Sequence, residues 1–261
     1  MDRSNINKIA KTPEDRVLLA KVWDKINAGI RKNIPSNTCF LSLRELDMTN
    51  FLFGQLDGLH AFGGYADAER KMLVYLPDYL DENALYEENS PVVCLRASFY
   101  EGDAPTHRDF LGALMGAGIA RETVGDICVG NGSCDFFVTN EIAPYVEQNF
   151  SSAGRTKVRL QRIPLTNAAI HQPETKEIRD TVSSLRLDSI LSAGFRVGRS
   201  AAVGYITAGK VAIDGLPCDK PDKAVAEGVK ISVRGLGKIQ LTNVGGQTKK
   251  GRISITINRY I

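Results

Sequence analysis

Basic side chains gather beside two short amphipathic segments in the C-terminal part of this 261-residue chain. Apolar residues recur at helical spacing over 187–191 and again over 202–206, which predicts two short helices joined by a basic turn. The residues left on the opposite surface are Arg186, Arg196, Arg199 and Lys210. A compact helix pair that presents arginines to solvent is suited to phosphate groups. The chemistry that this spacing indicates is therefore binding to a polyanion.

Strands predicted after the helix pair add further basic positions. Residues 210–213 and 229–234 alternate apolar and polar side chains, as strands with one buried face do. Basic residues on and after the second of these strands are expected to widen the phosphate-binding footprint. The complete predicted binding set is Arg186, Arg196, Arg199, Ser200, Lys210, Lys230, Arg234 and Lys238.

The charge of the chain is distributed unevenly. Residues 1–150 hold 14 Lys and Arg against 22 Asp and Glu, a net charge of −8, whereas residues 151–261 hold 19 against 8, a net charge of +11. A basic half beside an acidic half favours a polyanionic partner over a merely solvated surface. Nucleic acid is the partner that this pattern predicts.

Two aspartates are candidates for acid–base chemistry, and neither has a catalytic partner at a readable spacing. His107-Arg108-Asp109 is similar to triplets that carry catalytic aspartates, but the glycine-rich loop and the other motifs of a kinase do not accompany it. Asp109 is expected to cap or pair locally in the first turn of a helix. Asp126 is an isolated candidate for a general base. No catalytic residue is predicted.

Metal and cofactor sites are not predicted either. The three histidines are dispersed, and the five cysteines contain no C-x-x-C pair. The glycines at 130–132 precede a strand and those at 112–118 lie in a helix, whereas a dinucleotide-binding loop needs the order strand, loop, helix. We expect no cofactor, no metal and no small-molecule substrate.

Length and hydrophobicity indicate a cytoplasmic protein of two or three small domains. No stretch of about 18 apolar residues is present, and the N-terminal residues lack an apolar signal core. The scattered cysteines are expected to be reduced thiols. A monomer without membrane association is expected.

The predicted fold class is α+β. The predicted parts are an N-terminal α/β region at 1–77, an acidic linker at 78–90, a middle domain at 91–165, a second linker at 166–181 and a C-terminal domain at 182–261. Periodicity and turn residues in the N-terminal region predict helices over 12–30 and 44–55 and strands over 39–43 and 72–76.

The middle domain is predicted to have the order βαββαβ, the ferredoxin-like plan that many RNA-binding modules share. Its central strands, 124–129 and 134–138, are joined by Asn131-Gly132, a strong hairpin signal. Phe136 and Phe137 are adjacent, so they point to opposite faces and only one could stack on a base. RNA recognition by stacking on this sheet is therefore not predicted.

The C-terminal segment resembles the S4-type RNA-binding domain. The matching residues run in order through Arg186-Leu187-Asp188, Gly194, Arg199-Ser200, Ala202, Ile206, Gly209, Val211, Gly215, Lys220-Pro221 and Gly228-Val229-Lys230-Ile231. The chain departs from the usual pattern at Gly198, where a serine is usual, and at Asp214, where an asparagine is usual. The resemblance implies a module that binds structured RNA through its helix pair.

Upstream motifs give a narrower resemblance, to the YlmH family. They are Phe62-Gly63-Gly64-Tyr65, Ala68-Glu69-Arg70-Lys71, Thr106 to Gly112 and Gly125-Asp126-Ile127, in family order along nearly the whole chain. The resemblance implies a ferredoxin-like middle domain, a C-terminal S4-type domain and a non-enzymatic protein. It also implies binding to rRNA or tRNA on the large ribosomal subunit, a role in quality control of stalled subunits that hold peptidyl-tRNA, and a genomic link to cell division.

Two other functions stay open from the residues alone. Region 1–165 could be the catalytic domain of an rRNA-modifying enzyme, similar to a pseudouridine synthase or a methyltransferase, with Asp109 or Asp126 as the acid–base group and the C-terminal domain as the RNA tether. The acidic N-terminal half could instead bind a protein partner in cell division.

Overall fold

The structure is a computed structural model that describes residues 3–54, 56–87, 89–170 and 175–260. The chain divides into two compact units, residues 1–171 and 172–261. Each unit has a hydrophobic core of its own. No helix within the described ranges is long and apolar enough to cross a membrane.

The first unit combines helices with small antiparallel sheets. Its elements, in chain order, are α1 (Ile6–Ile9), α2 (Pro13–Lys32), β1 (Ser36–Asn37), α3 (Leu43–Phe53), β2 (Leu59–Phe62), β3 (Met72–Tyr75), β4 (Val92–Ser98), α4 (His107–Gly116), β5 (Val124–Val129), β6 (Ser133–Thr139), α5 (Ala143–Asn149), β7 (Ser152–Ala153), β8 (Thr156–Lys157) and β9 (Arg159–Ile163). The sheet orders are β1-β3-β2 and β5-β6-β4-β9, with β7-β8 as a separate hairpin.

Each of the three longer helices of this unit has a reciprocal pair of hydrogen bonds at its N-terminus. In each case a hydroxyl side chain accepts a bond from the backbone N–H three residues on, and the acidic side chain there accepts one in return. The pairs are Thr12 with Asp15 at α2, Ser42 with Glu45 at α3 and Thr106 with Asp109 at α4. These capping boxes satisfy N–H groups that the first helical turn leaves free. α2 and α3 therefore begin within one residue of the starts that the sequence predicts.

The strand predicted at 39–43 is wrong in its position. Pairing with β3 occurs in β1 instead, and Leu41 adds only an isolated bridge to Lys71. Phe40 donates its backbone N–H to the carbonyl oxygen of Glu122 at 2.8 Å, so the chain leaves the β3 ladder there. At Phe40, a bond to the short 3-10 helix before β5 has replaced the strand pairing that local propensity favours.

The four-stranded sheet of the first unit is covered on both faces. One face packs against α4 and α5 around Phe136. The other packs against the N-terminal segment, where Phe137 lies with Phe40 and Phe62. Residues on both sides of the predicted linker 78–90 thus share one core, and Leu85 from within that linker is buried in it.

The second unit is a six-stranded antiparallel sheet with a helix pair. Its elements are β10 (Thr175–Val182), α6 (Leu187–Phe195), α7 (Arg199–Thr207), β11 (Val211–Ile213), β12 (Leu216–Pro217), β13 (Lys230–Val233), β14 (Gly237–Gln247) and β15 (Ile253–Tyr260). The strand order is β10-β15-β14-β13-β11-β12. β10 occupies the last seven residues of the stretch predicted as the linker 166–181. Its pattern is weak because Ile178 and Val182 are its buried residues and polar side chains fill the rest.

The helix pair packs on one face of this sheet as the apolar spacing predicts. Leu187, Ile190 and Leu191 of α6 are buried against the inward residues of the sheet. Gly194 allows the closest approach, because a Cβ there would lie 2.6 Å from Cδ1 of Ile239. The opposite surface of the helix pair is left to polar and basic residues.

Candidate nucleic-acid interface

The helix pair brings two of the predicted arginines onto one buried carboxylate. Asp188, in the first turn of α6, is 2% exposed. Its oxygens accept hydrogen bonds from Nε and Nη2 of Arg186, both at 3.3 Å, and from Nε and Nη2 of Arg199, at 3.1 and 3.0 Å. Arg186 is the N-cap residue of α6 and Arg199 begins α7, so the two helix starts meet at Asp188.

Asp188 is held in its ionised form. Burial opposes charge on this carboxyl, but hydrogen bonds from Arg186 and Arg199 outweigh burial and keep its pKa below the ordinary value. The two arginine side chains remain 42% and 54% exposed. A guanidinium carries five N–H donors, so each arginine keeps donors for an anion on the solvent side. The pair is therefore a fixed, solvent-facing set of donors suited to phosphate oxygens.

The turn between the helices carries Arg196 and leads to Ser200. Arg196 ends α6 in the left-handed conformation, at φ 54°, and is exposed. Gly198 is the N-cap residue of α7 and supplies no side-chain oxygen to that helix. A Cβ on Gly198 would meet only Oγ of Ser200, at 4.0 Å, so a serine has room there. Ser200 is exposed directly after Arg199 and shares its helix start.

Lys210 and Arg234 lie together at the ends of β11 and β13. The backbone N–H of Arg234 donates to the carbonyl oxygen of Lys210 at 2.9 Å. Nζ of Lys210 lies 5.7 Å from the ring centroid of Tyr205. Arg199 is the first residue of α7, and Lys210 follows three residues after its last one. A helix of nine residues spans about 13 Å. This basic pair is therefore at the far end of α7 from Asp188.

Lys230 and Lys238 lie on the sheet face opposite the helix pair. Lys230 alternates with Ile231, which is buried beneath the helices. Lys238 is in register with Ser232, the next residue on the outward side of β13. Nζ of Lys238 lies 5.4 Å from the ring centroid of Tyr260. The single footprint predicted from sequence thus divides between two faces of the unit.

The role of Asp188 was missed from sequence. Arg-x-Asp at the start of a predicted helix was the available signal. An acidic residue in a first helical turn is ordinary, because it interacts favourably with the helix dipole. Only the approach of α7 shows that this carboxylate also holds Arg199.

Asp109, in the first unit, has the local role that the sequence predicts. Its Oδ2 accepts hydrogen bonds from the backbone N–H of Thr106 at 2.8 Å and from the Thr106 hydroxyl at 2.7 Å. These bonds hold the pKa of Asp109 below its usual range. Among the described residues, no cluster of His, Cys, Asp and Glu could hold a metal ion.

Comparison with known proteins identifies the family. Residues 103–167 match the family model described as "Putative RNA-binding domain in YlmH". The "Ribosome-associated protein quality control protein P2" of Bacillus subtilis (strain 168) is 34% identical over 224 residues, which is 85% of this chain and 86% of that protein. The chain belongs to the YlmH family. The solved structure of "Cell division protein ylmH from Streptococcus pneumoniae" aligns with a TM-score of 0.48 at 20% identity, over 60% of this chain and 95% of that one.

Three of the upstream motifs that resemble YlmH proteins meet at Asp126. Its Oδ2 accepts hydrogen bonds from the Tyr65 hydroxyl and from the backbone N–H of Glu69, both at 2.7 Å. Its Oδ1 accepts a third bond from the backbone N–H of Arg70 at 3.1 Å. Asp126 therefore fastens the loop between β2 and β3 onto β5. In this YlmH chain it is a structural anchor for that loop.

Proposed function

We propose that this YlmH protein binds structured RNA on the ribosome through its α6–α7 pair. One observation carries the proposal: buried Asp188 orients Arg186 and Arg199, and each arginine keeps free donors toward solvent. The net charge of +11 over residues 151–261 supports a polyanionic partner. The name of the Bacillus subtilis relative supports a ribosomal setting.

We further propose an assignment of the domains. We assign residues 91–165 to a ferredoxin-like domain, supported by the strand order β5-β6-β4-β9 with a helix in each crossover. We assign residues 182–261 to an S4-like domain, supported by the motif residues that form the helix pair. Residues 1–77 then form the N-terminal region, whose apolar residues complete the core of the first unit.

The proposed partner is rRNA or tRNA on the large ribosomal subunit, and the proposed role is quality control of stalled subunits. The protein acts as a cytoplasmic monomer without an enzymatic activity of its own. The two aspartates weighed as acid–base groups support this view. Asp109 caps α4, and both oxygens of Asp126 accept hydrogen bonds from the loop that they anchor.

Replacement of one arginine tests the proposal. Arg199→Glu is expected to abolish cosedimentation with purified large ribosomal subunits, because it puts a negative charge where a phosphate would lie. Arg179→Glu is the matched control, since Arg179 is an exposed arginine of the same unit paired with Glu177 at 2.7 Å. Arg199→Gln and a thermal melt of each variant separate lost binding from lost folding.

The salt dependence of wild-type binding gives a second readout. If about five phosphates are neutralised, the log–log plot of affinity against salt has a slope of roughly −4. Wild-type cosedimentation by the folded Arg199→Glu protein, or a flat salt response, would contradict the proposal.

A further inference from the structure

The four-stranded sheet, of which β5, β6 and β9 lie in the matched region 103–167, has no free face for RNA. Phe136 and Phe137 are both fully buried, one beneath the helices and the other beneath the N-terminal segment. The ring centroid of Tyr65 lies 5.2 Å from that of Phe137. Because neither phenylalanine can stack on a base, RNA that binds this region must use another surface.

Exposed cations concentrate on the hairpin β7-β8 and on the strand β9. Arg155, Lys157 and Arg159 are exposed there, and together they are called the basic edge. No Asp or Glu occurs between Glu147 and Glu174. Residues 1–150 have a net charge of −8. The basic edge is therefore a positive surface on an otherwise acidic unit.

The local fold directs these three side chains outward. Gly154, at φ 59°, begins the two-residue turn of the hairpin and leaves Arg155 at its tip. Val158 and Leu160 pack against the core of the sheet. Lys157 and Arg159 alternate with these two residues and therefore project away from that core.

β9 lies at one edge of its sheet, because β4 is its neighbour in the strand order and no described strand follows it on the other side. Its backbone register places Arg159 opposite Ser98, near the end of β4. The basic edge thus continues from the hairpin tip along the rim of the sheet. A rim of this kind can follow a phosphate backbone without a pocket.

Within the described part of the chain, none of the three residues of the basic edge forms an ion pair, so their charges are not neutralised there. Arg162, farther along β9, differs because its Nε lies 3.0 Å from Oε1 of Glu147. The Asp109 carboxylate also lies beside the hairpin, since a Cβ on Gly154 would lie 3.0 Å from its Oδ1. Its Oδ2 is engaged by Thr106.

We propose that the basic edge is a second RNA-binding surface of this protein, which contacts the phosphate backbone of structured RNA. The proposal rests on the proposed function and adds a site to it outside the helix pair. Charged residues on an edge strand also prevent pairing between sheets, but charge of either sign does that. Phosphate requires positive charge, so reversal of the charge distinguishes the two roles.

The test measures binding of the full-length protein to purified large-subunit rRNA at several salt concentrations between about 50 and 200 mM. The variant Arg155→Gln/Lys157→Gln/Arg159→Gln is expected to bind about tenfold more weakly, and its log–log salt slope should be smaller in magnitude by about 2. Arg162→Gln is the matched control, and its slope is expected to equal that of the wild type because Glu147 already neutralises Arg162.

A second variant, Arg155→Glu/Lys157→Glu/Arg159→Glu, keeps the edge charged. It is expected to stay monomeric by gel filtration and to bind rRNA still more weakly. If a folded triple-Gln variant had the wild-type slope and affinity, only the proposal for the basic edge would be overturned, because the helix pair would still bind rRNA. A wild-type protein that does not bind rRNA would overturn both proposals.

Discussion

At the scale of single residues, hydrogen bonds to Asp188 restrict two long side chains that would otherwise move freely. An arginine side chain loses up to about 2 kcal/mol of conformational free energy when it is ordered. Here the fold has already ordered Arg186 and Arg199 against a buried acceptor. The conformational entropy of these two side chains is therefore already lost on folding, and phosphate binding does not have to order them again.

Asp188→Asn is expected to lower the free energy of unfolding of the second unit by about 1–2 kcal/mol at neutral pH. The amide keeps one acceptor oxygen but loses the charge and places an NH2 group against a guanidinium. Urea unfolding followed by circular dichroism measures the change. The exposed Asp222→Asn is the control and should have almost no effect.

The stability difference between the wild type and Asp188→Asn should depend on pH. The pKa of Asp188 is lower in the folded chain than its ordinary value. Its ionised form therefore stabilises the fold fully above an ordinary Asp pKa of about 4, and this contribution is lost as pH falls through the folded value. The stability difference between wild type and Asp188→Asn should shrink as pH is lowered from about 6 to about 3. A difference that grows over this range would contradict the assignment.

At the scale of elements, two helical glycines in the second unit have opposite surroundings. Gly194 of α6 faces the sheet, where a Cβ would lie 2.6 Å from Cδ1 of Ile239 and 3.4 Å from Cγ2 of Ile257. Gly204 of α7 has no atom within 4 Å of the position of a Cβ and is exposed. The first glycine sets the distance between helix and sheet, and the second has no packing role.

Alanine at these two positions should change stability in opposite directions. Gly194→Ala is expected to lower the free energy of unfolding by about 1–2 kcal/mol, because overpacking outweighs the gain in helix propensity. Gly204→Ala is expected to raise it by about 0.5–1 kcal/mol. Thermal melts of the two variants check the signs, and equal shifts would show that α6 does not approach the sheet at Gly194.

Elements were predicted well from sequence where a local signal exists. The capping boxes begin α2, α3 and α4, and the periodicity of α6 appears in its buried face. The strand at 39–43 failed because a bond from Phe40 to Glu122 overrides local propensity. β10 was read as linker because its polar residues give almost no alternation, and it is held mainly by pairing with β15.

At the scale of the whole molecule, charge and folding divide between the same two units. Residues 1–171 hold 18 Lys and Arg against 22 Asp and Glu, and residues 172–261 hold 15 against 8. The second unit has a core of its own, built from both helices and the inward residues of its sheet. It therefore contains both a folding core and the proposed arginine surface.

A fragment of residues 172–261 is expected to fold by itself. Its thermal unfolding, followed by circular dichroism, should be a single cooperative transition, because one core joins its helices to its sheet. It should also cosediment with large ribosomal subunits, with a smaller salt slope than the full chain if the basic edge contributes. A fragment without a cooperative transition would show that its core depends on the first unit.

The sequence by itself determined the properties that depend on nearby residues and on composition. These are the capped helix starts, the apolar faces of α6 and α7, the local role of Asp109, the uneven charge and the YlmH resemblance. Only the tertiary structure decided which distant groups meet. It placed Arg199 on Asp188, put Lys230 and Lys238 on the other sheet face, and buried Phe137 beneath the N-terminal segment. Spacing along a chain does not specify such contacts, because they depend on how separate elements pack.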